Sequence, residues 1–181
     1  GGTGFTPSYY DNGSLGDGEV TVVKDSTVSV MVVNEYHATE VNPVNITVTG
    51  NKQLVGTAWT AKHSFNFRLE KLLADGSWEK LGEEATAKEG STSFDFKDAF
   101  ATERYPTHGS YYYRIIELQP ASPLGGISYD KTVHSFVVRV ADKDMNGQLE
   151  ITEVVSDRPN TTVVTQTNNG WNVNANFTNT Y

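Results

Sequence analysis

Apolar and polar residues alternate with a period of two along most of this chain. The pattern is carried by EVTVV, TVSVMVV, VNITVTG, HSFNFRL, TSFDF, SYYYRII, HSFVVRV, QLEITEVV, TTVVTQT and WNVNANF. Val, Ile, Thr, Tyr and Phe dominate these runs, and a period of two turns one face of each toward a core and the other toward water, so each predicts a strand. Between them lie DNG, GDG, ADGS, KEGS, THGS, PLGG, MNG and NNG, turn-forming clusters at the spacing of an antiparallel sandwich. No amphipathic helix is predicted beyond turns around FKDAFATERY and AKH. The expected class is therefore all-β, an immunoglobulin-like antiparallel β-sandwich with little helix. The polar stretch HATEVNPVN, with Pro43, separates two strand-dense regions. It predicts an N-terminal strand hairpin over residues 1–41 and a complete sandwich domain over residues 42–181.

Composition narrows the function classes. A chain of 181 residues holds one domain with a sizeable core plus an extra segment. Cysteine is absent, so disulfides, thiol nucleophiles and thiolate metal sites are excluded and any covalent reinforcement must use other chemistry. A net charge of −8, with 14 basic residues scattered singly, argues against nucleic acid or a membrane surface as partner. No apolar run is long enough to span a bilayer, and GGTGFTPSYY lacks the regions of a signal peptide, so a mature fragment is expected. The opening GGTG is flexible punctuation and not a phosphate loop, and no GxSxG elbow is present.

DKDMNGQLEITE, residues 142–153, fits the calcium-loop pattern, with Asp142, Asp144, Asn146, Gly147 and Glu153 at the ligand and turn positions. That pattern requires helices on both sides, yet HSFVVRVA enters and QLEITEVV leaves with strand periodicity. The expectation is a hairpin turn and no metal site. His37, His63, His108 and His134 show no ligand spacing and are expected at strand ends on the surface. Trp59, Trp78 and Trp171 can stack on a sugar, but in alternating strands they are expected to belong to the core. NGS, NIT, NTT and NFT are glycosylation sequons only in a eukaryotic secretory pathway.

Three polar residues fall on apolar strand faces. Lys52 continues the face of Ile46, Val48, Gly50 and Leu54; Glu117 continues that of Tyr111, Tyr113 and Ile115; Asn179 lies between Phe177 and Tyr181. Burial lowers the proton affinity of a lysine and raises that of a glutamate, so such a pair can rest as amine and acid. Lys71 shares a face with Phe65, Phe67 and Leu69 and is the reserve nucleophile, although it approaches the ADG turn and should reach solvent.

The ordered phrases GNKQLVG, FNFRLEK, YYYRIIEL, GGISYDKT, VVRVADKDMNGQL and FTNTY resemble the isopeptide-linkage domain of Gram-positive backbone pilins and repetitive surface adhesins, over about residues 44–181. The resemblance implies a Cna-B-like sandwich in which a first-strand lysine joins a last-strand asparagine by a spontaneous amide bond promoted by a mid-strand glutamate. Those roles fall on Lys52, Asn179 and Glu117. It further implies a structural module of an extracellular, cell-wall-attached pilus or adhesin stalk, with neighbouring repeats or pilin subunits as partners, no cofactor, and no enzymatic turnover beyond the single bond. The alternative is a ligand-binding adhesin domain for a host glycan or matrix protein. In GDGEVTVVKDSTVSVMVVNEY, the phrase VVNEY stands where FTNTY stands later. Residues 1–41 then resemble the closing hairpin of a preceding repeat with Asn34 as acceptor, or form a hairpin native to this domain.

Overall fold

The alternating runs pair into three sheets in a computed structural model that describes residues 3–43 and 45–181; the first two glycines of GGTG, and Val44, lie outside the described residues. The strands are β1 (Phe5–Asp11), β2 (Ser14–Gly16), β3 (Val30–Tyr36), β4 (Ile46–Val55), β5 (Ser64–Leu72), β6 (Trp78–Lys80), β7 (Ala85–Lys88), β8 (Ser93–Asp95), β9 (Gly109–Glu117), β10 (His134–Ala141), β11 (Glu150–Ser156), β12 (Thr162–Gln166) and β13 (Trp171–Thr180). Among the described residues there is no helix, and FKDAFATERY forms turns as expected.

Two of the sheets make the sandwich. One runs β11-β10-β9-β5-β6, with β7 also on β5; the other runs β12-β13-β4-β8. Their inner faces meet in one core that includes Phe67, Leu69, Ile115, Val138, Val173 and Phe177. Across it the Phe67 ring stacks on Phe94 at 4.0 Å and meets Phe177 at 4.8 Å. Gly50, in the middle of β4, leaves the space that the Phe94 ring fills: a Cβ there would lie 2.2 Å from it. Truncating Phe67, which is fully buried, would cost about 3–5 kcal/mol.

Pairing departs from a purely antiparallel sandwich at one place, where β4 and β13 run parallel, with Lys52 opposite Phe177 and Leu54 opposite Asn179. These are the first and last strands of the sandwich, and a chain that traverses the whole domain between them is long enough to return in the same direction. The inner face of β13 ends at Asn179; Tyr181, expected to continue it, lies past the strand and is 65% exposed.

Residues 5–36 form the third sheet, ordered β2-β1-β3. The expected closing hairpin is not its pairing: β3 pairs with β1, from Phe5↔Tyr36 to Asp11↔Val30, while EVTVV lies outside every strand with Val22 and Val23 exposed. Strand periodicity states what a segment can do, but a ladder also needs a partner in register, and here β3 found it in β1. The sheet rests on the sandwich through a hydrogen bond from the Tyr36 hydroxyl to Asp142 and bridges from Thr39 to Gln148 and from Val41 to Tyr105.

The 142–153 segment joins β10 to β11 as an antiparallel hairpin. Asp142 accepts the backbone N–H groups of Asn146 (2.9 Å) and Gly147 (2.8 Å), and Met145 and Gly147 take left-handed φ values of 52° and 82°. Glu153 sits on β11, bonded to Arg139 at 2.8 Å. The acidic turn is thus closed by its own backbone donors.

Candidate functional site

Strand alternation sends Lys52, Glu117 and Asn179 into the core, and the fold brings all three together. Lys52 and Asn179 lie on the inner faces of the parallel β4–β13 pair, two positions out of step, and Glu117 faces them from β9 in the opposite sheet. The Lys52 amine is 2.6 Å from Glu117 Oε2 and 2.5 Å from Asn179 Oδ1, and Asn179 Nδ2 donates to Glu117 Oε1 at 2.7 Å. The Lys52 and Glu117 side chains are fully buried, and so is Asn179. The rings of Phe65, Phe67 and Phe177 surround the amine at 5.1–5.9 Å.

The dryness of this site sets its electrostatics. Burial holds the Lys52 amine below the ordinary lysine range, against the opposing pull of its bond and charge interaction with Glu117. Burial likewise lifts the Glu117 carboxyl above the ordinary range, against the bonds from Lys52 and Asn179. Both displacements favour the uncharged pair. An amine with a free electron pair beside a carboxamide and an acid is a nucleophile, an electrophile and a proton carrier in one enclosed space. Two surface clefts lie elsewhere, one lined by Ile46, Val48, Phe96 and Phe100, another by Phe5, Tyr36, Arg139 and Met145.

The two oxygens of Glu117 meet the two nitrogens, Lys52 Nζ and Asn179 Nδ2, and not the Asn179 carbonyl oxygen. The carbonyl oxygen instead accepts the backbone N–H of Asp130 at 2.7 Å. Sequence reasoning missed Asp130, which lies in the connection before β10 and carries no periodic signal of its own.

Also missed was a polar ladder on the outer face of the same two strands. Asn174 Nδ2 donates to Thr49 Oγ1 (2.8 Å), Asn51 Nδ2 donates to Asn174 Oδ1 (3.0 Å) and to Asn176 Oδ1 (3.1 Å), and Ser93 Oγ donates to Asn51 Oδ1 (2.8 Å). Its signal was legible as the Asn-rich alternation of WNVNANF beside TVTGN. Because a slip of one residue would turn Lys52 outward, side-chain bonds that hold register on the outer face also serve the inner one.

The remaining sequence candidates are placed elsewhere. Lys71 bonds Glu103 at 2.8 Å on the far part of β5. His134, expected at the surface, is fully buried: it begins β10 on an inward position, where its Nδ1 lies 2.7 Å from Thr162 Oγ1 and its ring 4.3 Å from Phe177. His37 and His108 are exposed, and His63 is half-buried beside Trp59. Trp59 and Trp171 pack against the core, and Trp78 lies under the Arg114 guanidinium at 4.3 Å. Asn34 is exposed on β3. Among the described residues no three His, Asp or Glu side chains are gathered to hold a metal ion.

Comparison with known proteins adds a family. Among solved structures, the major pilin from Streptococcus pyogenes is 23% identical with a TM-score of 0.44, covering 77% of this chain and 51% of that one. The T-13 major pilin protein of Streptococcus pyogenes is 20% identical with a TM-score of 0.44, covering 80% of this chain and 54% of that one. The chain thus spans about half the length of the solved pilins it matches. No curated protein matches it. The FctA family model, described as the Spy0128-like isopeptide containing domain, matches residues 48–181, a span that takes in Lys52, Glu117 and Asn179. With most of its length matched, and with a lysine, an acid and an amide enclosed together between its first and last sandwich strands, the chain belongs to the FctA family of Spy0128-like isopeptide containing domains.

Proposed function

We propose that residues 42–181 are a structural module of a cell-surface pilus or adhesin stalk, reinforced by a spontaneous amide bond between Lys52 and Asn179 that Glu117 promotes. The observation that carries this reading is the position of Glu117, whose two oxygens lie 2.6 Å and 2.7 Å from the attacking and departing nitrogens. The lone pair of neutral Lys52 attacks Asn179 Cγ. Glu117 takes a proton from Nζ at one oxygen and gives one to Nδ2 at the other, ending as it began. The Cγ–Nδ2 bond then breaks, ammonia leaves, and a secondary amide remains. Fixed proximity replaces the encounter that makes such an amide inert in solution. A buried, unlinked Lys–Glu–Asn cluster is costly to fold around; once linked, the lysine nitrogen is an amide that can no longer take up a charge.

The strand order supports a mechanical role. Tension entering at Ile46 passes along β4 to Lys52, crosses to Asn179 and leaves at Thr180, so the chain between them is off the force path. Closing a loop of 127 residues' separation stabilises by about 4–5 kcal/mol if disulfide loop entropy transfers to an amide. A fully enclosed reactive cluster admits no outside substrate, which fits one turnover and not repeated catalysis.

The test is intact mass. The purified protein should weigh one ammonia less than its sequence, and a tryptic digest should contain a branched peptide joining the Lys52 and Asn179 segments. A mass equal to the sequence mass would sink the reading. The three-stranded N-terminal sheet we read as a separate unit: a chain beginning after His37, which keeps the core contacts of Ala38 and Val41, should still fold and lose its ammonia.

A further inference from the structure

Glu117 engages the two nitrogens of the reacting groups, which leaves the oxygen to something else. As Lys52 Nζ bonds to Cγ, the carbonyl electron pair moves onto Asn179 Oδ1 in a site closed to bulk solvent. Lys52, until then a hydrogen-bond partner of that oxygen, becomes bonded to the adjacent carbon. The donor that remains is the backbone N–H of Asp130, at 2.7 Å.

We propose that Asp130 is a further participant in amide formation: its backbone N–H stabilises the oxyanion on Asn179, and its carboxylate holds that N–H in position. The inference rests on the isopeptide reading above. The second half comes from how the connection is anchored. β12 pairs with β13 only as far as Ala175, so the edge of β13 beyond it needs another neighbour. Residues 128–132 supply it. Ser128 and Thr180 exchange backbone hydrogen bonds (2.7 Å and 3.1 Å), Thr178 N–H donates to Asp130 Oδ2 (2.8 Å), and Thr132 N–H donates to Asp130 Oδ1 (2.8 Å).

The connection is therefore tied to the strand on both sides of the residue that reacts, by the Asp130 carboxylate at Thr178 and by Ser128 at Thr180, and the Asp130 N–H falls on the reacting oxygen. Burial pushes the Asp130 carboxyl up, but the bonds from Thr132 and Thr178 outweigh it and hold the group below the usual range, keeping it an acceptor. The N–H is a catalytic group, because it touches a reacting atom; the carboxylate is a positioning group. Preorganised donors of this kind contribute most where charge develops out of reach of solvent.

The experiment follows the full-length chain through cell-free synthesis, with samples quenched in acid at intervals and the fraction one ammonia lighter read by intact mass. Beside the wild type run three variants. The first replaces Asp130 with its α-hydroxy acid counterpart, which exchanges only the N–H for an oxygen and keeps the carboxylate. The others are Asp130→Ala and Asp130→Asn. The backbone-ester chain should link about a hundredfold more slowly than wild type, with an unchanged near-ultraviolet circular dichroism spectrum. Asp130→Ala should also link slowly, and Asp130→Asn, which keeps the N–H and one acceptor oxygen, should recover most of the rate. An ester chain that folds and links at the wild-type rate overturns the oxyanion role. Should the ester chain fail to fold, equal rates for wild type and Asp130→Ala overturn the proposal, and a slow Asp130→Ala with a recovered Asp130→Asn supports it. A wild-type chain that never loses ammonia overturns the isopeptide reading itself, a result distinguishable from either.

Discussion

Two lysines on inward-tending strand faces of this domain are paired with glutamates, and the two pairs differ in their electrostatics. Lys52 and Glu117 are fully buried with an amide beside them. Lys71 lies 2.8 Å from Glu103 and 3.8 Å from Glu79, with 30% of its side chain exposed, and Glu103 also accepts the Tyr113 hydroxyl at 3.0 Å. The Lys71 amine is held above its ordinary range, chiefly by the bond to Glu103, whereas burial takes Lys52 below it. The partner is a glutamate carboxylate in both cases; the difference is exposure to solvent. Where solvent reaches the ammonium, the pair's attraction wins and the lysine is a fixed cation. Where it does not, desolvation wins and the lysine is shifted toward the neutral amine. On the reading proposed above only the second serves as a nucleophile, with the Asn179 amide oxygen 2.5 Å from its nitrogen.

The largest effect should come from removing the proton carrier. Glu117→Ala should restore the full sequence mass and lower the melting temperature by about 10 °C or more, from the lost loop restraint of about 4–5 kcal/mol. Differential scanning calorimetry with intact mass on the same sample checks both. Lys52→Met breaks the comparison from the other side: if Lys71 were equally reactive, this chain would still lose ammonia through a branch at Lys71. It should instead keep its full mass.

A third test reads the opposite proton affinities directly. In Asn179→Ala the bond cannot form, but Lys52 and Glu117 remain. The raised Glu117 means the folded chain binds more protons than the unfolded one above pH ~4.3, so stability should fall as pH rises toward the folded value. The lowered Lys52 means the unfolded chain binds more protons up to pH ~10.4, so stability should climb again from the folded value to that limit. Urea denaturation across pH should show a dip between the two windows, absent when Lys52→Met and Glu117→Leu are added. A flat profile would show that burial does not control this pair. The stabilisation from Lys71, whose affinity is raised, should instead be complete at neutral pH and fade only as pH climbs past ~10.4 toward its folded value.

The smallest effect should be that of Lys71→Met. Its pair is part-exposed, so the loss should be about 1 kcal/mol or less, with the ammonia-loss mass unchanged. A chain that fails to cross-link after this substitution would make Lys71 part of the reactive site and end the distinction drawn here.

Much of this contrast was legible in the sequence. Period-two alternation is local pleat geometry, and it set Lys52, Glu117 and Asn179 among inward residues without knowledge of any neighbour. The same logic identified the 142–153 loop as a hairpin, since strand periodicity on both flanks excludes the helices that a calcium loop needs. It also sufficed to mark Lys71 as tending toward solvent near its turn.

Other features depended on residues far apart in the chain. His134 was misplaced because, at the edge of a run, nothing local says whether another strand will cover it, and Thr162 does. EVTVV has the strand pattern yet lies outside every strand, while β3 pairs with β1 from far earlier in the chain. The parallel pairing of β4 with β13 is a property of the returned chain, as are the arrival of Asp130 over Asn179 and the drying of one lysine but not the other. Side-chain direction is written every two residues by the backbone itself, whereas proton affinity and reactivity follow from which distant groups exclude water and which come within bonding distance, and only the packed tertiary structure decides that.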